Sequence, residues 1–133
     1  MPDTRLTSIL IAIPNDQQCH LQDVLHQHFP DIRSVTSASE LLLELSNTKA
    51  ELIILSLQLG REEIQRVLQL LDSQRELMPD HLIAWGCPAS PAEKSTLYRY
   101  GVDEIVDSDT PTTTFLARIH ARLQLSTTSL LNA

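Results

Sequence analysis

Few residues of this chain carry reactive chemistry, and each has an ordinary reading beside the reactive one. Ser56 sits in L-S-L-Q-L. A serine attacks a substrate only when a base takes its proton and a third group orients that base. L-S-L-Q-L is not a nucleophile elbow, so the plain reading is a small polar residue at a strand end. Cys19 and Cys87 are the two thiols. A cysteine in the first turn of a helix has a lowered pKa and can act as a redox switch; two ordinary cysteines are the alternative. His20 beside Cys19 does not complete a metal site, because neither C-x-x-C nor H-x-x-x-H spacing occurs. Asp16, Asp107 and Asp109 offer hard oxygen ligands for a cation, or simply solvate and cap their loops. Arg118, His120 and Arg122 could form an interaction patch, since arginine anchors interfaces; a solvated helix face is the other reading. His26 and His28 are placed on the solvated face or end of a helix.

Composition bounds what these residues can serve. The 133 residues fit one domain with a real core. Hydrophobic residues make up 42% of the chain, yet no run approaches the roughly 18 apolar residues needed to cross a bilayer. The start, M-P-D-T-R-L-T-S, carries an acid and lacks an apolar h-region, so no signal peptide is expected. A net charge of −7 with ten basic residues argues against nucleic acid as the main partner. Two cysteines do not make a disulfide framework, and a reducing cytoplasm is the simplest setting. With three glycines and no low-complexity segment, order is expected away from the ends.

The elements that must position these residues read clearly. In Ala50–Gly60, the run Leu52–Leu55 with Leu57 is short, apolar and closed by glycine, as in a strand buried on both faces. Ser56 stands at its carboxyl end, where open parallel sheets place their chemistry. Ser8–Ile13 is a first strand, stopped by Pro14; Asn15 or Asp16 can cap a helix over about Gln17–His28, with Leu21, Val24, Leu25 and Phe29 on one side. Ile32–Thr36 alternates like an edge strand. Ser37-Ala38-Ser39-Glu40 is a capping box ahead of Leu41, Leu42 and Leu45. A helix is predicted over Glu62–Leu77, with Ile64, Val67, Leu68 and Leu71 inward, and a strand over His81–Trp85. Ser90-Pro91-Ala92-Glu93 opens a helix that runs to about Tyr100. Val102–Val106 is a fifth strand. Thr110-Pro111 opens a last helix, with Leu116, Ile119 and Leu123 on one face, and Ser126–Ala133 is a polar tail. Five strands alternating with five helices make a parallel sheet with helices on both faces.

In these spacings, in G-V-D-E-I-V at 101–106 and in F-L-A-R-I-H-A-R-L at 115–123, the chain resembles the receiver domain of two-component response regulators. The resemblance covers about Ser8–Leu125 and implies a flavodoxin-like, doubly wound five-stranded sheet of order 2-1-3-4-5. The receiver-like domain is then 1–125, and 126–133 is a tail or the start of a linker. A working receiver carries two acids after strand 1, a phospho-accepting aspartate after strand 3, a Ser/Thr after strand 4 and Lys-Pro after strand 5. The acids hold magnesium and the aspartate takes the phosphoryl group. On this chain the acid pair falls on Ile13 and Pro14, the acceptor on Ser56, the hydroxyl on Gly86 and the lysine on Ser108, followed by Asp109. The aromatic switch position falls on Ile105. Shifting the alignment by two would bring Asn15-Asp16 to the acid pair but would not repair Ser56, Gly86 or Ser108.

The resemblance therefore implies a pseudo-receiver: the scaffold kept, the phosphotransfer chemistry lost, with no enzyme activity, cofactor or metal. Its expected working surface is the fourth helix, fifth strand and fifth helix, with Tyr98, Tyr100, Ile105, Arg118 and Arg122. Expected partners are a sensor kinase, another regulator, an output domain or a second copy of the chain, in the cytoplasm, with neither nucleic acid nor membrane. Three other readings stay open. Pro14, Ser56, Gly86, Cys87 and Ser108 are mostly small, and could leave a pocket for a small-ligand sensor. Ser56 could be an enzyme's nucleophile. A non-standard residue could accept phosphate.

Overall fold

A computed structural model of the chain describes residues 8–14, 20–29, 31–88 and 90–131. Strands β1 (Ile9–Ala12), β2 (Ile32–Val35), β3 (Leu52–Ser56), β4 (His81–Trp85) and β5 (Glu104–Val106) form one parallel sheet of order β2-β1-β3-β4-β5. Helices α1 (His20–His28), α2 (Ala38–Asn47), α3 (Arg61–Ser73), α4 (Pro91–Arg99) and α5 (Thr112–Leu131) connect and follow the strands. This is the flavodoxin-like fold of receiver domains.

Side-chain alternation along each strand divides the core in two. Leu10, Ala12, Ile53, Leu55, Leu82 and Ala84 project to the side covered by α2, α3 and α4. Ile9, Ile11, Leu52, Ile54, Ile83 and Val106 project to the side covered by α1 and α5, where Leu25, Phe29, Phe115 and Ile119 meet them. Every residue of β3 is buried, which explains its unbroken apolar run: a strand covered on both faces has no solvent side to keep polar. Fully burying one such side chain contributes about 1.5–3 kcal/mol.

The helix starts are built as their sequences dictate. Ser37 accepts the Glu40 N–H at 3.1 Å, and the Glu40 carboxylate accepts the Thr36 N–H at 2.7 Å, one residue before the usual capping-box donor. Ser90 accepts the Glu93 N–H at 3.2 Å, with Pro91 in the first turn.

Three boundaries differ from expectation by more than one residue. The helix predicted to reach Leu77 ends as α3 at Ser73, and a 3-10 turn follows over Arg75–Leu77; Gln74, with φ −125° and ψ 74°, breaks the regular ladder. The fifth strand begins at Glu104 and not at Val102, because the Asp103 carboxylate takes the Leu82 N–H at 2.8 Å in place of a backbone carbonyl. The last helix continues to Leu131, through most of the segment read as a polar tail. Neither glycine nor proline occurs between Thr112 and Leu131, so nothing local stops it. Among the described residues, no helix is long and apolar enough to cross a membrane.

Candidate functional site

The fold gathers Ile13, Pro14, Ser56, Gly86 and Ser108 at the carboxyl ends of β1, β3, β4 and β5, the edge where sheets of this kind place their ligands. What stands there is packed. Ala12 pairs with Leu55, and Ser56 pairs with Trp85. Ser56 thus lies in the sheet row beyond Ala12, next to Trp85, and the residue after Ala12 is Ile13. Ile13 is fully buried in the core under α1 and α5, and Trp85 packs against the same core. Ser56 is 1% exposed. Its hydroxyl accepts the Gln58 N–H at 3.2 Å and caps a 3-10 turn over Leu57–Leu59.

Gly86 ends β4 with φ 136°, a conformation that L side chains rarely adopt. Its N–H donates to the Val106 carbonyl at 2.8 Å. A Cβ built on it would lie 3.1 Å from Leu57 Cβ, so Leu57 occupies the space above this glycine. Leu57 closes over Gly86 and Ser56 is buried, while Cys87 and Ser108 are exposed in the loops beyond.

The loop after β5 is ordered by Asp107. Its Oδ1 accepts the Asp109 N–H at 2.9 Å, and its carbonyl accepts the Thr110 N–H at 2.9 Å. The Cys87 thiol donates to Asp107 Oδ2 at 3.4 Å. That bond, the Asp107 charge, slight desolvation and Asp109 together push the Cys87 pKa up from its ordinary value. A raised pKa lowers the thiolate fraction, the reverse of what favours a nucleophile or redox switch. Asp16 and Cys19 lie outside the described residues; among those described, no three metal-ligating side chains converge.

Magnesium takes hard oxygen ligands in octahedral geometry. Ile13 and Pro14 carry no side-chain oxygen, and Ser56 supplies one neutral hydroxyl already engaged with Gln58. The residues at the positions the resemblance assigns to the ion do not fit it.

The expected interaction residues divide. Tyr98 on α4 is 46% exposed. Tyr100, which caps α4, and Ile105 on β5 are half-buried against the core under α2, α3 and α4. Arg118 Nη1 donates to Glu104 Oε2 at 3.1 Å, and Arg122 Nε donates to Glu104 Oε1 at 3.2 Å. Both arginines are therefore spent on Glu104, a partner that local sequence gave no means of finding. Trp85 beside Ser56 was missed too: the register pairing that joins them spans 29 residues of chain (85 minus 56).

No protein-family model and no curated protein matches the chain. Solved structures do match it. A CheY-like response regulator receiver domain protein from Methanospirillum hungatei JF-1 is 19% identical with a TM-score of 0.77, covering 94% of this chain and 99% of its own. The signal receiver domain of a signal transduction histidine kinase from Syntrophus aciditrophicus is 19% identical with a TM-score of 0.75, covering 89% and 90%. The receiver domain of the sensor histidine kinase PA1611 from Pseudomonas aeruginosa PAO1, which has a magnesium ion coordinated in its active-site cleft, is 13% identical with a TM-score of 0.62, covering 86% and 94%. At these identities the likeness is one of fold.

Proposed function

We propose that the chain is a pseudo-receiver, a signalling module that works by protein contact without aspartyl phosphorylation. The observation that carries this reading is the buried, apolar setting of Ser56 at the end of β3. Ile13 and Trp85 pack where Ser56 ends β3, and Leu57 closes over Gly86. Phosphoryl transfer to an aspartate needs a carboxylate nucleophile and a cation to neutralise the incoming charge. A neutral buried hydroxyl among apolar neighbours supplies neither, and Asp107 and Asp109 add negative charge nearby, which disfavours a phosphate.

The surface we assign to partners is α4, β5 and α5. Tyr98 is its exposed aromatic, Tyr100 and Ile105 support it from beneath, and Arg118 and Arg122 edge it through their grip on Glu104. Its partners would be a sensor kinase, another regulator, an output domain or a second copy, in the cytoplasm. The test is incubation with acetyl phosphate and magnesium followed by intact mass. The unmodified mass is expected; an added phosphoryl group, above all one surviving Ser56→Ala, would overturn the reading.

A further inference from the structure

A pocket of about 390 Å³ lies between α3 and α4, on the face away from α1 and α5. We propose that it binds a small, singly anionic molecule with an apolar body, the acid group at Arg61 and the body over Leu68, Leu97 and Tyr100. The volume falls within the range of small-ligand sites, and the lining is graded along the pocket. Arg61 is the first residue of α3, and Ser90 caps α4, so a guanidinium and two helix amino termini lie toward one end. Helix starts carry partial positive charge from their unpaired amides. Arg61 is exposed and makes no ion pair among the described residues. Leu68, Leu97 and Tyr100 make the other end apolar.

The charge count limits the ligand. Among the described residues, Arg61 is the one cationic side chain lining the pocket, and the chain's net charge of −7 opposes a second negative charge on the ligand. A nucleotide or other polyanion is therefore disfavoured, and one acid group is the match. From Arg61 to Leu68, α3 rises about 10 Å at ~1.5 Å per residue, the length of a medium-chain fatty acid or a fused aromatic acid. Leu97 is the one fully buried residue of α4, so the helix is thinly anchored, and an occupant held between α3 and α4 adds contact through Ala92, Thr96 and Tyr100. That regulatory consequence rests on the α4 surface assigned above; the binding itself does not.

The probe is 8-anilinonaphthalene-1-sulfonate, an aromatic body with one sulfonate, titrated into the full chain at neutral pH. Saturable binding of one probe per chain is expected, displaced by octanoate and not by octyl glucoside. Arg61→Gln should weaken it about tenfold, the loss of one charge-assisted contact. Gln65→Trp or Thr96→Trp should block the pocket, with circular dichroism and the urea midpoint confirming that each variant folds. No saturable binding, displacement by octyl glucoside as readily as by octanoate, or unchanged binding in Arg61→Gln and a folded tryptophan variant would each overturn the proposal. Phosphorylation in the acetyl phosphate test would leave this result standing, so the two readings fail separately.

Discussion

Arg122 of α5 holds Glu104 of β5, Nε to Oε1 at 3.2 Å, and ties the last helix to the edge strand of the sheet. Arg118 takes the second carboxylate oxygen at 3.1 Å, and Arg122 also donates to the Asp103 carbonyl at 3.3 Å. Exposed ion pairs contribute little, but Glu104 and Arg122 are largely covered, at 21% and 29% side-chain exposure, and two bonds share one acid. Glu104→Ala should lower stability by about 1–2 kcal/mol, and Arg118→Ala, the more exposed partner, by less than about 1 kcal/mol. Urea denaturation measures both. Equal losses for the two variants, or none for Glu104→Ala, would show that the clamp does not stabilise the fold.

Restoring an acid at the end of β3 should fail chemically and cost stability. In Ser56→Asp a carboxylate would replace a hydroxyl that is 1% exposed, beside Trp85. Burial disfavours its ionised form and raises its pKa, so the part of the cost due to charge is small below about pH 4 and grows as pH rises through the raised value, to about 3 kcal/mol. Thermal unfolding across pH reads the slope. A variant that gains stability toward neutral pH, or takes up phosphate from acetyl phosphate, would mean that the site still accommodates charge.

Gly86 is fixed by both its backbone and its neighbour. Gly86→Ala meets a positive φ and a 3.1 Å approach to Leu57 Cβ, and should cost about 1–3 kcal/mol. At Gly60, with φ 101° but nothing within 4 Å of a built Cβ, alanine should lose only the backbone part, about 1 kcal/mol. Pairing Gly86→Ala with Leu57→Ala in a double-mutant cycle should return a favourable coupling, because the smaller side chain relieves the crowding. Strict additivity would remove Leu57 as the cause.

The thiol of Cys87 should be sluggish. Its hydrogen bond to Asp107, and then the charge of that carboxylate, raise its pKa, so at pH 8 less of it is thiolate than in a free cysteine, and the thiolate is the reactive form. In a Cys19→Ser background, iodoacetamide should label Cys87 more slowly than an unstructured peptide thiol. Asp107→Asn should speed the reaction several-fold. Labelling that ignores the asparagine substitution would show that the carboxylate does not hold the proton.

Local signals in the chain were enough to place most elements. The apolar run of β3, the serine caps at Ser37 and Ser90 and the inward stripe Ile64, Val67, Leu68 and Leu71 each act within a few residues, and each stands where the sequence put it. The carboxyl-edge positions of Ser56 and Gly86 were readable for the same reason. What stayed hidden is tertiary. The pairing of Ser56 with Trp85, the closure of Leu57 over Gly86 and the grip of two arginines on Glu104 join segments whose separation no periodicity encodes. Arg118 and Arg122 therefore read as surface residues with no sign of the carboxylate that both of them hold. The length of α5 was missed because serines and threonines at 126–129 suggest a tail, although they weaken a helix without ending it.

The chain contains a single tryptophan, and the register of β3 and β4 sets that residue against Ser56. Its half-buried indole gives the carboxyl edge of the sheet a native optical reporter. Any event that reopens this edge to solvent will shift the emission of the unlabelled protein to longer wavelength, so a conformational signal can be followed in real time without attaching a dye.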